Sequence, residues 1–215
     1  NGLKRLFIGI TIVVSDKQYV RVIVYILSFN GGQIIDWCTK EVIYENVLDT
    51  NIYPYLYTCE ATLTVDGVIV DKVSARFGAR YYHVDPQNGF FLNGRSYPLR
   101  GVCRHQDWKG IGNAITKEHH DTDMDIIREV GANTIRLAHY QHDRYFYDLC
   151  DECGLVVWAE IPYISKQLSD GEYNTISQLK ELIVQNYNHP SIVVWGLSNE
   201  ITIGGHDDPD LVENH

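Results

Sequence analysis

The sequence has few positive charges for its size, with 18 lysine and arginine residues against 28 aspartate and glutamate residues. The resulting net charge of -10 at pH 7 repels phosphate backbones, which argues against a nucleic-acid partner. Long apolar stretches are also missing, and none reaches the roughly 20 residues that a membrane-spanning helix needs. We therefore expect a globular protein that binds neither nucleic acid nor a membrane.

Cysteine is scarce, and its odd count of five, irregularly spaced, argues against a disulfide framework. A reducing compartment fits this usage better, so we expect a cytoplasmic protein. Cys150 and Cys153 form a Cys-x-x-Cys pair, which is compatible with a redox pair or half a zinc site. Because the pair stands near the end of a predicted helix and no second pair exists, helix packing is the favoured interpretation.

The first 88 residues have the composition of a β-structure. Residues 6–14, 18–28, 57–65 and 68–74 are rich in β-branched and aromatic residues, and Asp66-Gly67 is a hairpin turn signal. Residues 6–14 also resemble the apolar part of a signal peptide, but no initiator Met or small-residue cleavage site accompanies them. We expect a chain that begins inside a longer protein, with an immunoglobulin-like β-sandwich over residues 1–88.

Beyond residue 88 the pattern alternates between strands and helices. Predicted strands cover residues 99–102, 133–138, 155–161 and 191–197, and predicted helices begin after Thr116, after Asp143 and at a capping box, Thr175 to Gln178. Such alternation predicts a parallel sheet, and four units are half of an eight-stranded (β/α)8 TIM barrel. A doubly wound fold would need a glycine-rich phosphate loop after its first strand, which is missing. We therefore expect residues 89–215 to form the N-terminal half of a TIM barrel.

Polar residues follow each predicted barrel strand, at the end where barrel enzymes place their catalytic groups. Buried strands have little reason to end in so many ionisable groups unless those groups face a ligand. Converging carboxylates, imidazoles and a guanidinium suit a polyhydroxylated substrate, and glycoside cleavage uses two carboxylates. In strand order the residues are Arg104, His105 and Asp107, then Arg136 and His139, then Glu160, and finally Asn199 and Glu200.

Short motifs around these positions resemble those of glycoside hydrolase family 2, the β-galactosidase and β-glucuronidase group of clan A. They are Phe-Leu-Asn-Gly at residues 91–94, Arg-Gly-Val-Cys-Arg-His at 100–105, Gly-Ala-Asn-Thr-Ile-Arg at 131–136, Ala-His-Tyr at 138–140, Asn-His-Pro-Ser at 188–191 and Asn-Glu at 199–200. The resemblance covers roughly residues 57–205. Each motif alone is weak, and their combination is specific.

The resemblance implies a role for each of the main pocket residues. Glu200 is expected to be the general acid/base, and Asn199 to bond the 2-hydroxyl of the sugar. Arg136 is expected to hold the carboxylate of the nucleophile. His105 and His139 are expected to line the pocket of the non-reducing sugar, although core histidines bonded to the backbone are the alternative.

Several further residues are assigned with less support. Asp107 and Glu160 are expected to assist binding, although a barrel carboxylate paired to an arginine is the alternative for Glu160. Trp158 shares a face of its strand with Glu160 and is either barrel core or a wall on which the sugar stacks. Trp195 is expected in the barrel core. His119 and His120, with two nearby aspartates, suggest a metal cluster, but a solvated first helical turn is favoured.

Two departures from the family pattern matter. The family's nucleophile is a second glutamate after the seventh strand, which the predicted strands do not include, so we expect the chain to be inactive alone and prone to self-association. Metal-dependent relatives bind magnesium through a glutamate and a histidine after the third strand. Ile164 and Lys166 occupy those positions here, so we expect no magnesium there and no cofactor.

The sequence therefore predicts part of a retaining β-glycosidase, with a β-linked glycoside or oligosaccharide as its substrate. A β-galactoside is the favoured substrate, and a β-glucuronide or a β-mannoside is the alternative within the family. A non-catalytic carbohydrate-binding fragment is the alternative of a different class, and a redox or zinc protein built on the cysteine pair is a third. We expect the full-length protein to be a homo-oligomer.

Overall fold

A computed structural model describes residues 4–13, 24–30, 33–38, 54, 56–65, 68–78, 80–165 and 170–201. The chain divides into two compact units, Asn1–Ala79 and Arg80–His215, which are described separately. Among the described residues, no helix has the length and apolar character needed to cross a membrane.

The first unit contains one antiparallel sheet of five strands. They are β1 (Lys4–Val13), β2 (Val24–Asn30), β3 (Gln33–Cys38), β4 (Tyr57–Val65) and β5 (Val68–Phe77). Their order across the sheet is β3-β2-β1-β4-β5. Val65 pairs with Val68 at the end where β4 and β5 meet, as expected for the predicted hairpin. The described residues show this one sheet and no second sheet facing it, so the predicted immunoglobulin-like sandwich is not shown.

The second unit opens with a small sheet of three short strands: β6 (Tyr82–Asp85), β7 (Gly89–Leu92) and β8 (Arg95–Ser96). Asn93 and Gly94 form the turn between β7 and β8, and both have positive φ, 49° and 76°. Two consecutive residues of positive φ are what a tight hairpin turn requires, which explains the Asn-Gly pair.

A parallel sheet of four strands follows. They are β9 (Gly101–Arg104), β10 (Thr134–Leu137), β11 (Val156–Glu160) and β12 (Ile192–Gly196). Their order across the sheet is β12-β11-β10-β9. The strands alternate with helices, and this confirms the predicted parallel sheet built from strand–helix units. The helices are α1 (Lys117–Glu129), α2 (Arg144–Cys153) and α3 (Glu172–Asn186).

The helix boundaries follow the sequence signals in α2 but not in α3. The Asp143 side chain accepts a hydrogen bond from the Tyr145 backbone at 2.8 Å, and Gly154 ends α2 in the left-handed conformation, as predicted. The predicted capping box at Thr175 is wrong, because α3 has already begun at Glu172. Thr175 lies inside the helix, where its hydroxyl donates to the carbonyl of Gly171 at 2.9 Å.

The hydrophobic core lies between the parallel sheet and its helices. The helix-facing side chains of β10 and β11 pack there against Phe146 and Tyr147 of α2 and Leu182 of α3. Cys150 is fully buried in the same core, which supports the packing interpretation of the cysteine pair. Trp195 packs against this core too, on the side of β12 that faces the helices.

The sequence analysis placed residues 80–88 in the first domain, whereas the structure places them in the second unit. The Arg80 side chain donates to the carbonyl of Pro190 at 2.5 Å and to that of Ile192. The Tyr82 hydroxyl donates to the carbonyl of Val193 at 2.7 Å. These bonds to the start of β12 tie the segment to the parallel sheet, and the division therefore falls between Ala79 and Arg80.

Candidate active site

The face of the parallel sheet opposite the helices presents a set of polar side chains. In register, Arg136 of β10 lies between Cys103 of β9 and Trp158 of β11, so the three side chains share one face. Glu160 is two residues beyond Trp158 and lies on that face as well. The chain leaves β10, β11 and β12 at this same edge, so residues from distant parts of the sequence meet there.

Arg136 is the hub of the polar cluster. Its Nε atom donates to Oε1 of Glu160, and its Nη2 atom donates to Oδ1 of Asn199 at 2.7 Å. The hydrogen bond to Glu160 raises the pKa of the Arg136 guanidinium, so this group stays a cation. The guanidinium also lies 5.7 Å from the centre of the Trp158 ring, within range of a cation–π interaction.

Glu160 is 2% exposed and uses both of its carboxylate oxygens. Oε1 accepts from Arg136, and Oε2 accepts from Nδ1 of His139 at 2.8 Å. A carboxylate this deeply buried is out of reach of a substrate, and its two donors make it an anchor for Arg136 and His139. Nδ1 of His139 also lies 3.3 Å from Nη2 of Arg136, but the shorter contact is to a carboxylate, which can only accept, so the proton is assigned to Nδ1. Nε2 is then the ring atom left for a further partner.

Gly196 of β12 makes room for this cluster. A Cβ atom at Gly196 would lie 2.7 Å from Cγ of Glu160 and would overlap Nε1 of Trp158. Trp158 lies on the same face of the sheet as Glu160, beside this gap, and whether it is a pocket wall or barrel core stays a prediction.

Asn199 and Glu200 follow β12 directly. The backbone of Asn199 is bonded on both sides to the segment after β11, to the carbonyl of Tyr163 at 2.9 Å and the nitrogen of Ser165 at 3.0 Å. Glu200 is exposed and has a φ of 55°, a left-handed conformation that non-glycine residues seldom adopt. A strained backbone conformation persists only where surrounding contacts hold it in place, and such residues are common at functional sites.

His105 and Asp107 differ in their relation to the cluster. The exposed ring of His105 packs edge-on against His139, with ring centres 5.1 Å apart, and lies 6.0 Å from the Tyr140 ring. The structure thus brings His105 beside His139. Asp107 is exposed and, in the part of the chain that the structure describes, has no hydrogen bond to Arg136, His139 or Glu160.

Arg104 is not a pocket residue, although it follows the same predicted strand. It is one position past Cys103 and so points to the helix side, where it is buried over the Phe146 ring at 3.9 Å. Nε donates to Asp123 at 2.8 Å, while Nη1 and Nη2 contact Nδ1 of His142 and of His120 at 3.1 and 3.0 Å.

The prediction that His119 and His120 form a solvated first turn is wrong for His120. His120 is buried beside Arg104, and only His119 is at the helix start, where Nδ1 accepts from the Thr116 backbone at 3.1 Å.

Sequence reasoning also missed His142, a buried residue in the loop after β10. The alternation of side chains along β9 could have predicted that Arg104 points to the helices. No sequence feature near His120 or His142 predicts that these histidines contact Arg104.

The Asn-His-Pro-Ser motif lies at the opposite end of β12 from Glu200. Nδ1 of His189 contacts Oδ2 of the buried Asp151 at 2.6 Å, and the Ser191 hydroxyl and backbone nitrogen bond to Oδ1 at 2.5 and 3.1 Å. Asp148 lies close enough that the three side chains Asp148, Asp151 and His189 could group around a cation. The bonds of His189 and Ser191 to Asp151 join the start of β12 to α2, so the motif serves the fold.

A family model described as glycosyl hydrolases family 2, TIM barrel domain, matches residues 84–212. A β-glucuronidase of Bacteroides fragilis is 47% identical over 170 residues, which cover 74% of this chain and 24% of that protein. The chain therefore spans about a quarter of the length of this curated relative.

Two crystal structures are similar to this chain in fold and sequence. The FMN-binding β-glucuronidase from Faecalibacterium prausnitzii L2-6 matches with a TM-score of 0.77 at 42% identity, covering 99% of this chain and 32% of that one. A putative β-galactosidase from Bacteroides fragilis matches with a TM-score of 0.79 at 41% identity, covering 92% of this chain and 29% of that one. These similarities confirm that the parallel strand–helix units belong to a TIM barrel.

Proposed function

The chain belongs to glycosyl hydrolase family 2, and we propose that the full-length protein hydrolyses β-D-glucuronides with retention of configuration at the anomeric carbon. The family makes the protein a glycosidase. The glucuronide is supported by the β-glucuronidase of Bacteroides fragilis at 47% identity and by the similar FMN-binding β-glucuronidase structure. The sequence alone favoured a β-galactoside, which becomes the second candidate.

The observation that carries the proposal is the position of Asn199 and Glu200. Both directly follow β12 of the barrel sheet, at the ends of the strands where Arg136, His139 and Glu160 form one bonded cluster. Arg136 holds the oxygen of the Asn199 amide, so the amide nitrogen is the end left to donate to a sugar hydroxyl. Glu200 is the exposed carboxyl one residue further on.

In the reaction that we propose, a second carboxylate attacks the anomeric carbon while Glu200 gives its proton to the glycosidic oxygen. The bond to the aglycone breaks, and the aglycone leaves as the alcohol. Glu200 then takes a proton from water, which displaces the enzyme carboxylate and releases the sugar with its β configuration. A retaining pair of carboxyl groups lies roughly 5–5.5 Å apart, which sets where the second carboxylate must be relative to Glu200.

The second carboxylate is not Glu160, which is 2% exposed and lies beneath Arg136 and His139 as their hydrogen-bond acceptor. We propose that it comes from a part of the full-length protein that this chain does not span. Arg136, the cation at the centre of the cluster, is the group that would neutralise it, in line with the role that the family resemblance implies.

The test is the hydrolysis of a chromogenic panel by the full-length protein: β-glucuronide, β-galactoside and β-mannoside. We expect turnover of the glucuronide, and a loss of at least about 100-fold in kcat/KM in Glu200→Gln, because general acid–base catalysis contributes at least that factor. Glu181→Gln makes the same chemical change on the exposed face of α3 and is expected to leave kcat/KM unchanged. Equal activity of the Glu200→Gln variant and the wild type would overturn the assignment.

A second measurement separates the acid/base from other pocket carboxylates. In Glu200→Ala, an aryl glucuronide with a good leaving group still forms the glycosyl-enzyme, and added azide attacks it without base catalysis. We expect azide to restore turnover and to yield a glucuronosyl azide of β configuration. A product of α configuration would contradict the retaining mechanism.

The second candidate substrate, a β-galactoside, is supported by the putative β-galactosidase structure at 41% identity. Turnover of the galactoside in place of the glucuronide would select it, and the roles of Glu200, Asn199 and Arg136 would be the same. Sugar binding without hydrolysis, unchanged in Glu200→Gln, would support the non-catalytic alternative. The homo-oligomer and the cytoplasmic location stay predictions.

A further inference from the structure

The backbone that precedes the pocket histidine is held on both sides. The nitrogen of Ala138 donates to the carbonyl of Arg104 at 3.0 Å, and the carbonyl of Ala138 is 3.1 Å from Nε2 of His142. This carbonyl belongs to the same peptide unit as the nitrogen of His139. Whatever fixes the carbonyl therefore also fixes the point from which the ring of His139 reaches Glu160.

The hydrogen-bond partners of His142 determine which of its ring nitrogens carries the proton. Nδ1 is 3.1 Å from Nη1 of Arg104, and a guanidinium can only donate, so Nδ1 accepts. Nε2 must then carry the proton and donate it to the carbonyl of Ala138. One ring thus joins a buried cation on the helix side of the sheet to the backbone of the pocket.

Arg104 is itself held firmly. Asp123 binds it with a carboxylate oxygen 2.7–2.8 Å from two of its nitrogens, and the Phe146 ring covers one face of the guanidinium. His120 takes a further contact at Nη2. Because the guanidinium is fixed on several sides, its hydrogen bond to Nδ1 fixes the ring of His142. The bond from Nε2 of that ring then fixes the carbonyl of Ala138.

We propose that His142 is a positioning residue for the glycosidase reaction, holding the Ala138–His139 peptide unit so that His139 stays bonded to Glu160 and aligned in the pocket. The inference rests on the proposed function. His142 does not touch the substrate in this role, since it is 3% exposed and lies on the helix side of the sheet. It acts through His139, which in turn supports the carboxylate that holds Arg136.

The protonation state of His142 suits this role. Burial, the largest cause, lowers the pKa of His142 to about 3, so the ring is neutral near pH 7. Its donor therefore stays on Nε2 and its acceptor on Nδ1. A histidine that took up a proton near neutral pH would lose the bond from Arg104 and release the loop.

The kinetic test compares three variants of the full-length protein on whichever β-glycoside the wild type hydrolyses. His142→Phe keeps the volume and removes both bonds, and we expect kcat/KM to fall about tenfold or more, the equivalent of about 1.4 kcal/mol. His142→Gln keeps an acceptor and a donor and should recover most of that loss. His120→Phe removes the other histidine from Arg104 without touching Ala138, and should leave kcat/KM within about threefold.

The melting temperatures of the same variants separate positioning from general destabilisation. Both phenylalanine variants lose a contact to Arg104, and we expect similar decreases in melting temperature. Equal losses of kcat/KM in the two phenylalanine variants, or no loss in His142→Phe, would overturn the proposal.

A crystal structure of the full-length His142→Phe variant tests the inference without any turnover. We expect the ring of His139 to leave Oε2 of Glu160, while His120→Phe keeps that bond. An unchanged bond between His139 and Glu160 in His142→Phe would refute the positioning role, even if the glucuronide proposal holds. Wild-type turnover of a different glycoside would refute the substrate and leave the role of His142 intact.

Discussion

Arg136 and Asn199 are 63 positions apart in the sequence and are joined by a hydrogen bond of 2.7 Å from Nη2 to Oδ1. The bond settles which end of the Asn199 amide faces Arg136. It also links β10 to the segment that carries Glu200. The orientation of Asn199 and the place of Glu200 are therefore coupled to one guanidinium.

Arg136→Lys should show how much this coupling matters. Lysine keeps the positive charge, but it cannot reach Glu160 and Asn199 together in the planar arrangement of a guanidinium. Charge-assisted hydrogen bonds contribute about 1.5–3 kcal/mol each, so we expect kcat/KM to fall by about 10- to 100-fold. Steady-state kinetics of the full-length variant are the measurement. Activity close to that of the wild type would show that charge alone suffices at this position.

Gly196→Ala should displace the side chains of Trp158 and Glu160 that line the pocket face of the sheet. The new Cβ would overlap Nε1 of Trp158 and press on Glu160, and overpacking of this kind costs about 1–3 kcal/mol. Gly101→Ala is the matched control, because its Cβ would approach Thr134 only to 3.3 Å. We expect thermal unfolding to show the larger loss for Gly196→Ala, with a loss of kcat/KM that the control lacks. Equal stability of the two variants would contradict this account.

Asp151→Asn should affect stability and spare the pocket. The substitution removes the charge that His189 and Ser191 bind, and an asparagine offers one acceptor oxygen where two are used. We expect a loss of about 1–3 kcal/mol in the free energy of unfolding, with KM unchanged, because the cluster lies at the end of β12 remote from Glu200. A raised KM without loss of stability would show that this end of the barrel reaches the substrate.

The free energy of unfolding should depend on pH because two buried histidines, His142 and His120, have lowered pKa values. Burial lowers the pKa of His142 to about 3 and also lowers that of His120, while both titrate near 6.5 in the unfolded chain. Between these values the unfolded state binds more protons, so stability is full above pH 6.5 and decreases as the pH falls. His142 alone contributes a loss of up to about 2 kcal/mol between pH 6.5 and pH 5.

The pH prediction is checked by denaturant unfolding at several pH values. In His142→Gln, the decrease in stability below pH 6.5 should be shallower than in the wild type, because one of the two groups no longer titrates. An equally steep decrease would mean that other groups govern the acid limb.

The strand–helix units could be predicted because their signals are local. Apolar runs of strand length, the cap at Asp143 and the terminating glycine at 154 are each read within a few residues. Thr175 shows the limit of such signals, because its hydroxyl can form hydrogen bonds both at a helix N-cap and inside a helix. Since the residues from Glu172 onward are already helical, Thr175 lies inside α3. The predicted sandwich needed a pairing of two sheets, which the described residues do not show.

In the candidate site, the sequence identified Arg136, His139, Glu160 and Asn199 as pocket residues, and the structure joins all four in one bonded cluster. Arg104 was grouped with them because it follows the first predicted barrel strand, but its side chain points to the helices. His142 escaped notice because a histidine in a loop carries no sign of its burial or of its partners.

The sequence by itself determined which residue types stand at the carboxyl ends of the strands and in what order, because strand length, period and caps are properties of short segments. Only the tertiary structure decided which of those side chains meet. The contact of Arg136 with Asn199 and the contact of Arg104 with His142 depend on the register of neighbouring strands and on the side of the sheet that each residue faces. A shift of one residue in a strand exchanges the two sides, and the packing of the whole sheet against its helices sets that register.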